Sequence, residues 1–214
     1  MGKNACGNEL APGVMRRLPC YLNYLKGIPS GSGYISSATV ASALGYGDVQ
    51  VRKDLAQISG RGKPKMGYEI DNLIAALEST LGYTSYKSAV IVGAGKLGMA
   101  LYGYDGFSEY GLEIVAAFDA DEKITRDIIR GTIYPSSYFS EYCRKHRIDI
   151  GIITVPRSEA QKVCDEMVKC GIRAIWNFSP AILSAPDSVT VRNENMAESI
   201  AVLSRSLEEM PAGK

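Results

Sequence analysis

The residues best placed to do chemistry lie in one short run, Ala89-Val90-Ile91-Val92-Gly93-Ala94-Gly95-Lys96-Leu97-Gly98. A β-branched strand feeding G-x-G-x-x-G is the pattern of a dinucleotide loop. Gly93 permits the tight turn, Gly95 lets the backbone approach a pyrophosphate, and Gly98 lets helix and strand pack closely. The phosphates then meet free N–H groups at the positive end of a helix, with Lys96 as an electrostatic partner and Leu97 beside it. A second apolar strand, Leu112 to Phe118, ends at Asp119, 26 positions after Gly93. A carboxylate there binds ribose hydroxyls and repels the extra phosphate of NADP, which favours NAD(H). Asp121 is a second candidate for that role. A lone G-x-G-x-x-G also occurs in plain turns. The strand before it, the helix after it and the acid beyond carry the reading.

Two further segments fall where ligands of open α/β sheets lie, at the C-terminal ends of strands. They are Thr154-Val155-Pro156 and Asn177-Phe178-Ser179-Pro180. Thr154, Val155, Pro156, Asn177, Phe178, Ser179 and Pro180 are therefore candidates for the nicotinamide surroundings. Tyr104, near the end of the first helix, joins Phe178 and Pro180 as a candidate apolar wall. Each also suits a strand-ending turn or ordinary core packing. A dehydrogenase needs a proton donor or acceptor beside the nicotinamide and a place for its second reactant. The only histidine, His146, sits in a Lys/Arg-rich helix end away from the cofactor edge, and no second domain remains for a substrate. No catalytic residue is assigned. Five cysteines, at 6, 20, 143, 164 and 170, form no C-x-x-C pair and read as reduced thiols with no metal site. The default for each is a small buried hydrophobe. A nicotinamide site without a substrate domain looks like a sensor.

A second cluster is basic. Residues 1–68 carry nine Lys/Arg against Glu9, Asp48 and Asp54, while the remainder of the chain is net acidic, leaving +1 overall. Two short helices separated by Gly45-Tyr46-Gly47 have the spacing of a helix-turn-helix. The second places Gln50, Arg52 and Lys53 where a recognition helix enters the major groove, with Arg and Lys suited to guanine and Gln to adenine. Arg61, Lys63 and Lys65, in Ser59–Gly67, suit a β-ribbon wing over phosphates or the minor groove. The candidate DNA-facing set is Ser37, Gln50, Arg52, Lys53, Arg61, Lys63 and Lys65. A solvated helix face beside a basic loop gives the same composition.

The elements that must position these groups follow from periodicity. Residues 12–26 read as a helix with Val14, Leu18, Tyr21, Leu22 and Leu25 on one face, and Pro19 predicts a kink or a later start. Ser36-Ser37 cap a helix over Ala38–Leu44, and Asp48 caps Val49–Leu55. Tyr68–Leu81 is amphipathic, and Gly82–Ser85 is a linker. Then come strand 88–92, helix 96–104, strand 112–118, helix 123–130, a short strand at Thr132–Tyr134 and helix 136–146. Strand Ile148–Val155, helix Glu159–Cys170 and strand Ile172–Phe178 follow. The fold class predicted is an α/β Rossmann-type parallel-sheet domain preceded by a mainly α winged-helix domain. Asn195, with Glu198 three residues later, caps a last helix whose stripe is Met196, Ile200, Leu203, Leu207 and Met210. That stripe can lie on its own domain or on a second subunit, and the small surface available favours a subunit. The expected divisions are 1–84, 85–190 and 191–214. No run approaches a membrane span and no apolar signal segment opens the chain, so the expectation is a cytoplasmic protein without a membrane partner.

In combination these motifs resemble the Rex family of redox-sensing transcriptional repressors, from about Val14 to Leu207. The resemblance rests on R-R-L-P at 16–19, I-S-S at 35–37, Q-V-R-K-D-L at 50–55, V-G-A-G-K-L-G at 92–98, I-V-A-A-F-D at 114–119, I-T-V-P at 153–156 and W-N-F-S-P at 176–180. It implies a homodimer whose C-terminal helices are exchanged between subunits. It also implies pseudo-palindromic operator DNA bound when NAD⁺ prevails and released when NADH rises. The chain departs from the family pattern at Gln57, where an aromatic is usual, and at Ser59, Pro64 and Lys65 in the wing. Asn195 replaces an Asp that helps couple redox state to domain position, and cannot form the same charge-assisted pair with an arginine such as Arg16. Two alternatives stand beside the repressor reading: a NAD(H)-binding paralogue that no longer represses, and a small NAD-dependent oxidoreductase.

Overall fold

A computed structural model of the chain describes residues 10–121, 123–124, 127–128 and 131–209. Two compact units divide it, one running to Ser85 with Glu109–Gly111 added, the other holding Tyr86–Ser108 and everything from Leu112.

The first unit comprises α1 (Pro12–Lys26), β1 (Tyr34–Ile35), α2 (Ser37–Leu44), α3 (Asp48–Ser59), β2 (Tyr68–Glu69) and α4 (Ile70–Leu81). The expected later start of α1 does not occur. The helix begins on Pro12, where a missing N–H costs nothing, and carries Pro19 in its interior. Ser36 caps α2 as expected, its Oγ accepting from the Thr39 amide at 3.0 Å, and Gly45 ends it in the left-handed region. Asp48 is not the cap of α3: Gly47 is, and the Asp48 carboxylate instead accepts from Ser37 Oγ at 3.0 Å. Val51, Leu55 and Ile58 turn inward at helical spacing and join Leu18, Tyr21, Leu22, Leu73 and Leu77 in one core. The helix expected from Tyr68 starts two residues later, because Tyr68 and Glu69 pair antiparallel with Ile35 and Tyr34. Toward the tip, Lys63 and Gly67 exchange backbone hydrogen bonds of 2.7 and 2.9 Å. Gly67 has φ 90°, and a Cβ there would overlap the Ile35 carbonyl. A helix-turn-helix with a short ribbon beside it is a winged helix.

The second unit comprises β3 (Lys87–Val92), α5 (Lys96–Tyr102), β4 (Leu112–Asp119), β5 (Asp127–Ile128), β6 (Gly131–Pro135), α6 (Phe139–Lys145), β7 (Ile150–Ile153), α7 (Arg157–Lys169), β8 (Ala174–Asn177), β9 (Thr190–Asn193) and α8 (Met196–Glu209). The sheet order is β5-β6-β4-β3-β7-β8-β9. All neighbours are parallel except β5 against β6. Counted along the chain, the six parallel strands run 3-2-1-4-5-6, the doubly wound dinucleotide-binding order. Side-chain alternation covers both faces. Val90, Val92, Ala116 and Phe118 meet Phe139 and Tyr142 of α6 and Ala160, Cys164 and Met167 of α7. Ala89, Ile91, Ala117 and Ile152 face the other way, toward Met99, Leu101 and Tyr102 of α5.

Several expectations need correcting. The helix expected over 123–130 is absent among the described residues: Asp121 Oδ1 accepts from the Lys123 amide at 2.9 Å in a tight turn, and Asp127–Ile128 is a strand. The rest of that stretch lies outside the described residues. The strands at 148–155 and 172–178 are shorter than expected. Edge strand β9 was not foreseen because Thr190-Val191-Arg192-Asn193 has one apolar residue and no run to notice. Asn195 caps α8 as expected, its Oδ1 accepting from the Ala197 amide at 3.2 Å, yet no residue of α8 is buried. Met210 lies outside the described residues, as does Cys6. Cys164 is a buried hydrophobe as expected, and burial pushes the Cys143 thiol up to about 12, but Cys20 is exposed on α1. No described helix is long and apolar enough to cross a membrane.

Among the described residues, one charged side chain is buried: Asp54, at 3% exposure. Arg17 donates to it through Nε at 2.7 Å and Nη2 at 3.0 Å, and the Tyr21 hydroxyl at 2.8 Å. The bonding to Asp54 raises the Arg17 pKa above its ordinary value, and burial raises that of the Tyr21 phenol. This group ties α1 to α3. Removing one partner of a buried pair leaves the other uncompensated, although the Arg17 side chain keeps 20% exposure and water recovers part of the loss. Asp54→Ala is therefore expected to destabilise the chain by about 2–3 kcal/mol, read as a lower urea midpoint for the winged-helix transition.

Candidate nucleotide pocket and nucleic-acid interface

The strand order reverses between β3 and β7, and the loops leaving those strands meet. Gly93 has φ 105°, and a Cβ there would lie 2.8 Å from the Thr154 carbonyl carbon. A Cβ on Gly98 would overlap the Gly93 carbonyl oxygen and stand 2.9 Å from Thr154 Oγ1. Thr154 Oγ1 donates to the Gly93 carbonyl at 2.6 Å. Thr154 is thus a clamp between the two loops, which its place in a strand-ending turn did not disclose. Gly95 differs, since nothing lies within 4 Å of where its Cβ would be. Lys96, Leu97 and Gly95 are exposed where α5 begins. The Asp119 carboxylate accepts from the Ala94 amide at 2.6 Å and the Asp121 amide at 2.8 Å, which bends the end of β4 toward the glycine loop.

These loops border a cavity of about 540 Å³. It gathers Gly93, Gly95, Asp119, Thr154, Val155, Pro156, Phe178, Ser179 and Pro180, all expected, together with Phe139, Glu159 and Lys162, which were not. Ser179 is buried, and its hydroxyl has no hydrogen-bond partner among the described residues. Glu159 and Lys162 lie one helical turn apart on α7 and look like ordinary surface charges in sequence. Five expected residues do not line it: Lys96 and Leu97 are exposed at the start of α5, Gly98 is buried against Gly93, and Asn177 and Tyr104 lie elsewhere. Asn177 is fully buried, donating to the Ala181 carbonyl at 2.9 Å and Asn193 Oδ1 at 2.8 Å while accepting from the Ser179 amide at 2.9 Å. Its amide shapes the Phe178–Pro180 loop and has little left for a ligand. Tyr104 is 56% exposed and packs edge-on to Phe107, 4.9 Å between centroids, in a separate hollow with Tyr86 and Tyr102. His146 caps α6 and stacks on Tyr142 at 4.3 Å, at the opposite end of the sheet.

On the first unit, Ser37, Arg52, Lys53, Arg61, Lys63 and Lys65 line one hollow of about 560 Å³ between α3 and the ribbon. Gln50 lies outside it, in a notch with Gly13, Arg16, Arg17 and Tyr46. Two members of the basic set are already engaged. Ser37 donates to Asp48, while Lys63 donates to the Tyr34 hydroxyl and sits 4.8 Å from that ring's centre. Hydrogen bonding to Tyr34 raises the Lys63 pKa. Gln57 turns back on its helix, donating to the Lys53 carbonyl at 3.3 Å.

Residues 9–56 match the family described as "Putative DNA-binding protein N-terminus", and residues 84–181 match "CoA binding domain". The redox-sensing transcriptional repressor Rex of Porphyromonas gingivalis is 39% identical over 200 residues, 92% of each chain. Its counterpart in Treponema denticola is 42% identical over 195 residues, 90% of this chain and 92% of that one. The chain belongs to the Rex family. Among solved structures, RSP in complex with β-NAD⁺ and operator DNA is 31% identical with a TM-score of 0.89, each chain covered to 94%. RSP with β-NADH has a TM-score of 0.84 at 31% identity, covering 94% of this chain and 95% of that one. The Rex fold, a winged helix followed by a Rossmann-type parallel sheet, is therefore the fold of this chain.

The crowding at the glycine loop has a direct consequence. Gly98→Ala forces α5 away from the Gly93 carbonyl and is expected to cost about 1–3 kcal/mol. Gly95→Ala meets open space and is expected to stay within about 0.5 kcal/mol of the parent. Thermal melts of the two variants check the contrast.

Proposed function

We propose that this chain is a NAD(H)-responsive repressor, a homodimer that holds pseudo-palindromic operator DNA when NAD⁺ prevails and lets it go when NADH replaces it. The observation that carries the reading is the likeness, over 94% of both chains, to a Rex-family repressor described in complex with β-NAD⁺ and operator DNA. The local chemistry agrees. The open space at Gly95, beside the tight junction of Gly93, Gly98 and Thr154, suits a pyrophosphate, and the unpartnered Ser179 hydroxyl suits a polar edge of a bound nucleotide. Asp119 suits the ribose, with Lys96 and Leu97 beside the phosphates. When bound, the dinucleotide supplies a nicotinamide that is cationic if oxidised and neutral if reduced. Val155, Phe178 and Pro180 give that ring apolar walls, which favour the neutral form. Ser37, Gln50, Arg52, Lys53, Arg61, Lys63 and Lys65 serve the DNA.

On this reading the chain regulates and does not catalyse, supported by its likeness to curated repressors over 92% of each chain. It acts in the cytoplasm, where operator DNA and the dinucleotide pool meet. Met196, Ile200, Leu203 and Leu207 are 57–69% exposed on α8, a stripe that fits the second subunit in an exchanged-helix dimer. The divisions at 1–84, 85–190 and 191–214 then correspond to reading, sensing and dimerising parts. A second reading, a NAD(H)-binding paralogue that no longer represses, draws on Gln57, which stands where an aromatic is usual and turns back on its own helix.

Two outcomes test this. In titrations of a DNA sequence selected from a random pool, NADH is expected to weaken binding at least about tenfold relative to NAD⁺. Equal affinity removes the sensor, because a ligand without preference shifts no equilibrium, and tight NADH binding with no selected DNA favours the paralogue. Leu203→Glu is expected to produce monomers in sedimentation and to lower operator affinity, with the winged-helix unfolding transition unchanged.

A further inference from the structure

The assignment of α3 as the reading helix leaves open what Gln50 offers to a base. A free glutamine amide presents an acceptor and a donor together, the pair that matches adenine N7 and N6. Here Gln50 is not free. Its amide meets the guanidinium of Arg17, which has no acceptor, so the orientation that satisfies both groups turns Oε1 toward Arg17 to accept from Nη1 at 3.0 Å, the single Nε–H being given to Asp54. The reverse orientation would set N–H against N–H. Arg17 is itself held, its Nε and Nη2 forked on buried Asp54 and its neighbour Tyr21 bonded to the same carboxylate. Gln50 is exposed on α3 while Asp54, four residues later, is buried beneath it.

We infer that Arg17, anchored by Asp54 and Tyr21, is a positioning residue that fixes the Gln50 amide with its NH₂ outward, so that this position offers donors only. Guanine, whose O6 and N7 both accept, is then the base it matches. Adenine is disfavoured, because its N6 amino donor would face Nε2. The sequence-level pairing of Gln50 with adenine is thereby reversed by a side chain 33 positions away. The inference rests on the DNA-binding reading above and deepens it. Arg17 touches no base in this account. It acts through Gln50, and a lysine in its place would keep a positive charge near Asp54 without the planar fork that reaches both partners.

Selection of bound DNA from a random pool, with full-length wild type, Gln50→Ala and Arg17→Lys, tests it. The base that loses its preference in Gln50→Ala is the one Gln50 reads. In wild type it is expected to be guanine, favoured over adenine roughly tenfold. Arg17→Lys is expected to relax or invert that preference toward adenine while other positions keep theirs. In the double variant, Arg17→Lys is expected to add nothing at that position to the effect of Gln50→Ala. Adenine in the wild-type profile, a Gln50→Ala profile like wild type, or an Arg17→Lys profile like wild type overturns the inference while leaving the repressor intact. If Arg17→Lys melts without cooperativity, the wild-type and Gln50→Ala profiles decide alone. If wild type selects no sequence in either nucleotide state, the repressor reading falls and this inference with it, a failure distinguishable from the others.

Discussion

The contact between two glycines and one threonine governs the parallel-sheet half of the molecule. With Gly93 at a positive φ and Gly98 against its carbonyl, α5 approaches β3 more closely than any side chain would allow, and Thr154 hydrogen-bonds across the same point from β7. The strand order changes direction there, so helices connect to opposite faces on either side and a crevice opens between the loops. The cavity walls follow from this junction. Phe178 to Pro180 reach it because Asn177, fully bonded below, holds their loop, and Asp119 reaches it because its carboxylate bonds the Ala94 amide.

Backbone-driven features were legible in sequence and side-chain commitments were not. G-x-G-x-x-G, the apolar strands and most of the helices between them, and the glycine turn before α3 each express a local requirement of the chain and led to the observed elements, the helix expected over 123–130 excepted. The failures share a cause. Edge strand β9 has no apolar signature because it packs little, and Asp127–Ile128 pairs as a strand through backbone bonds that leave no compositional trace. Asp48, Asn177 and Gln50 are polar residues whose partners lie far along the chain, so their types announced a capacity for bonding and not its direction. Tyr104 suited a pocket wall in type but lies in another hollow.

The other half of the molecule shows how a buried charge can define an orientation. A carboxylate inside a small helical core is a poor source of stability compared with apolar packing of the same volume. What Asp54 does well is restrict geometry: its oxygens take a fork from Arg17 and a hydroxyl from Tyr21. α1 and α3 are held in one rotational relation by directional bonds, where apolar contacts alone would tolerate small slips.

The last described helix, α8, has fourteen residues and not one of them is buried. A free helix of that length is marginal in water, since the loss of backbone freedom is nearly as large as the gain from its hydrogen bonds. In the exchanged-helix dimer proposed above, the second subunit supplies what orders this segment, so the folded fraction of α8 rises with the concentration of the chain.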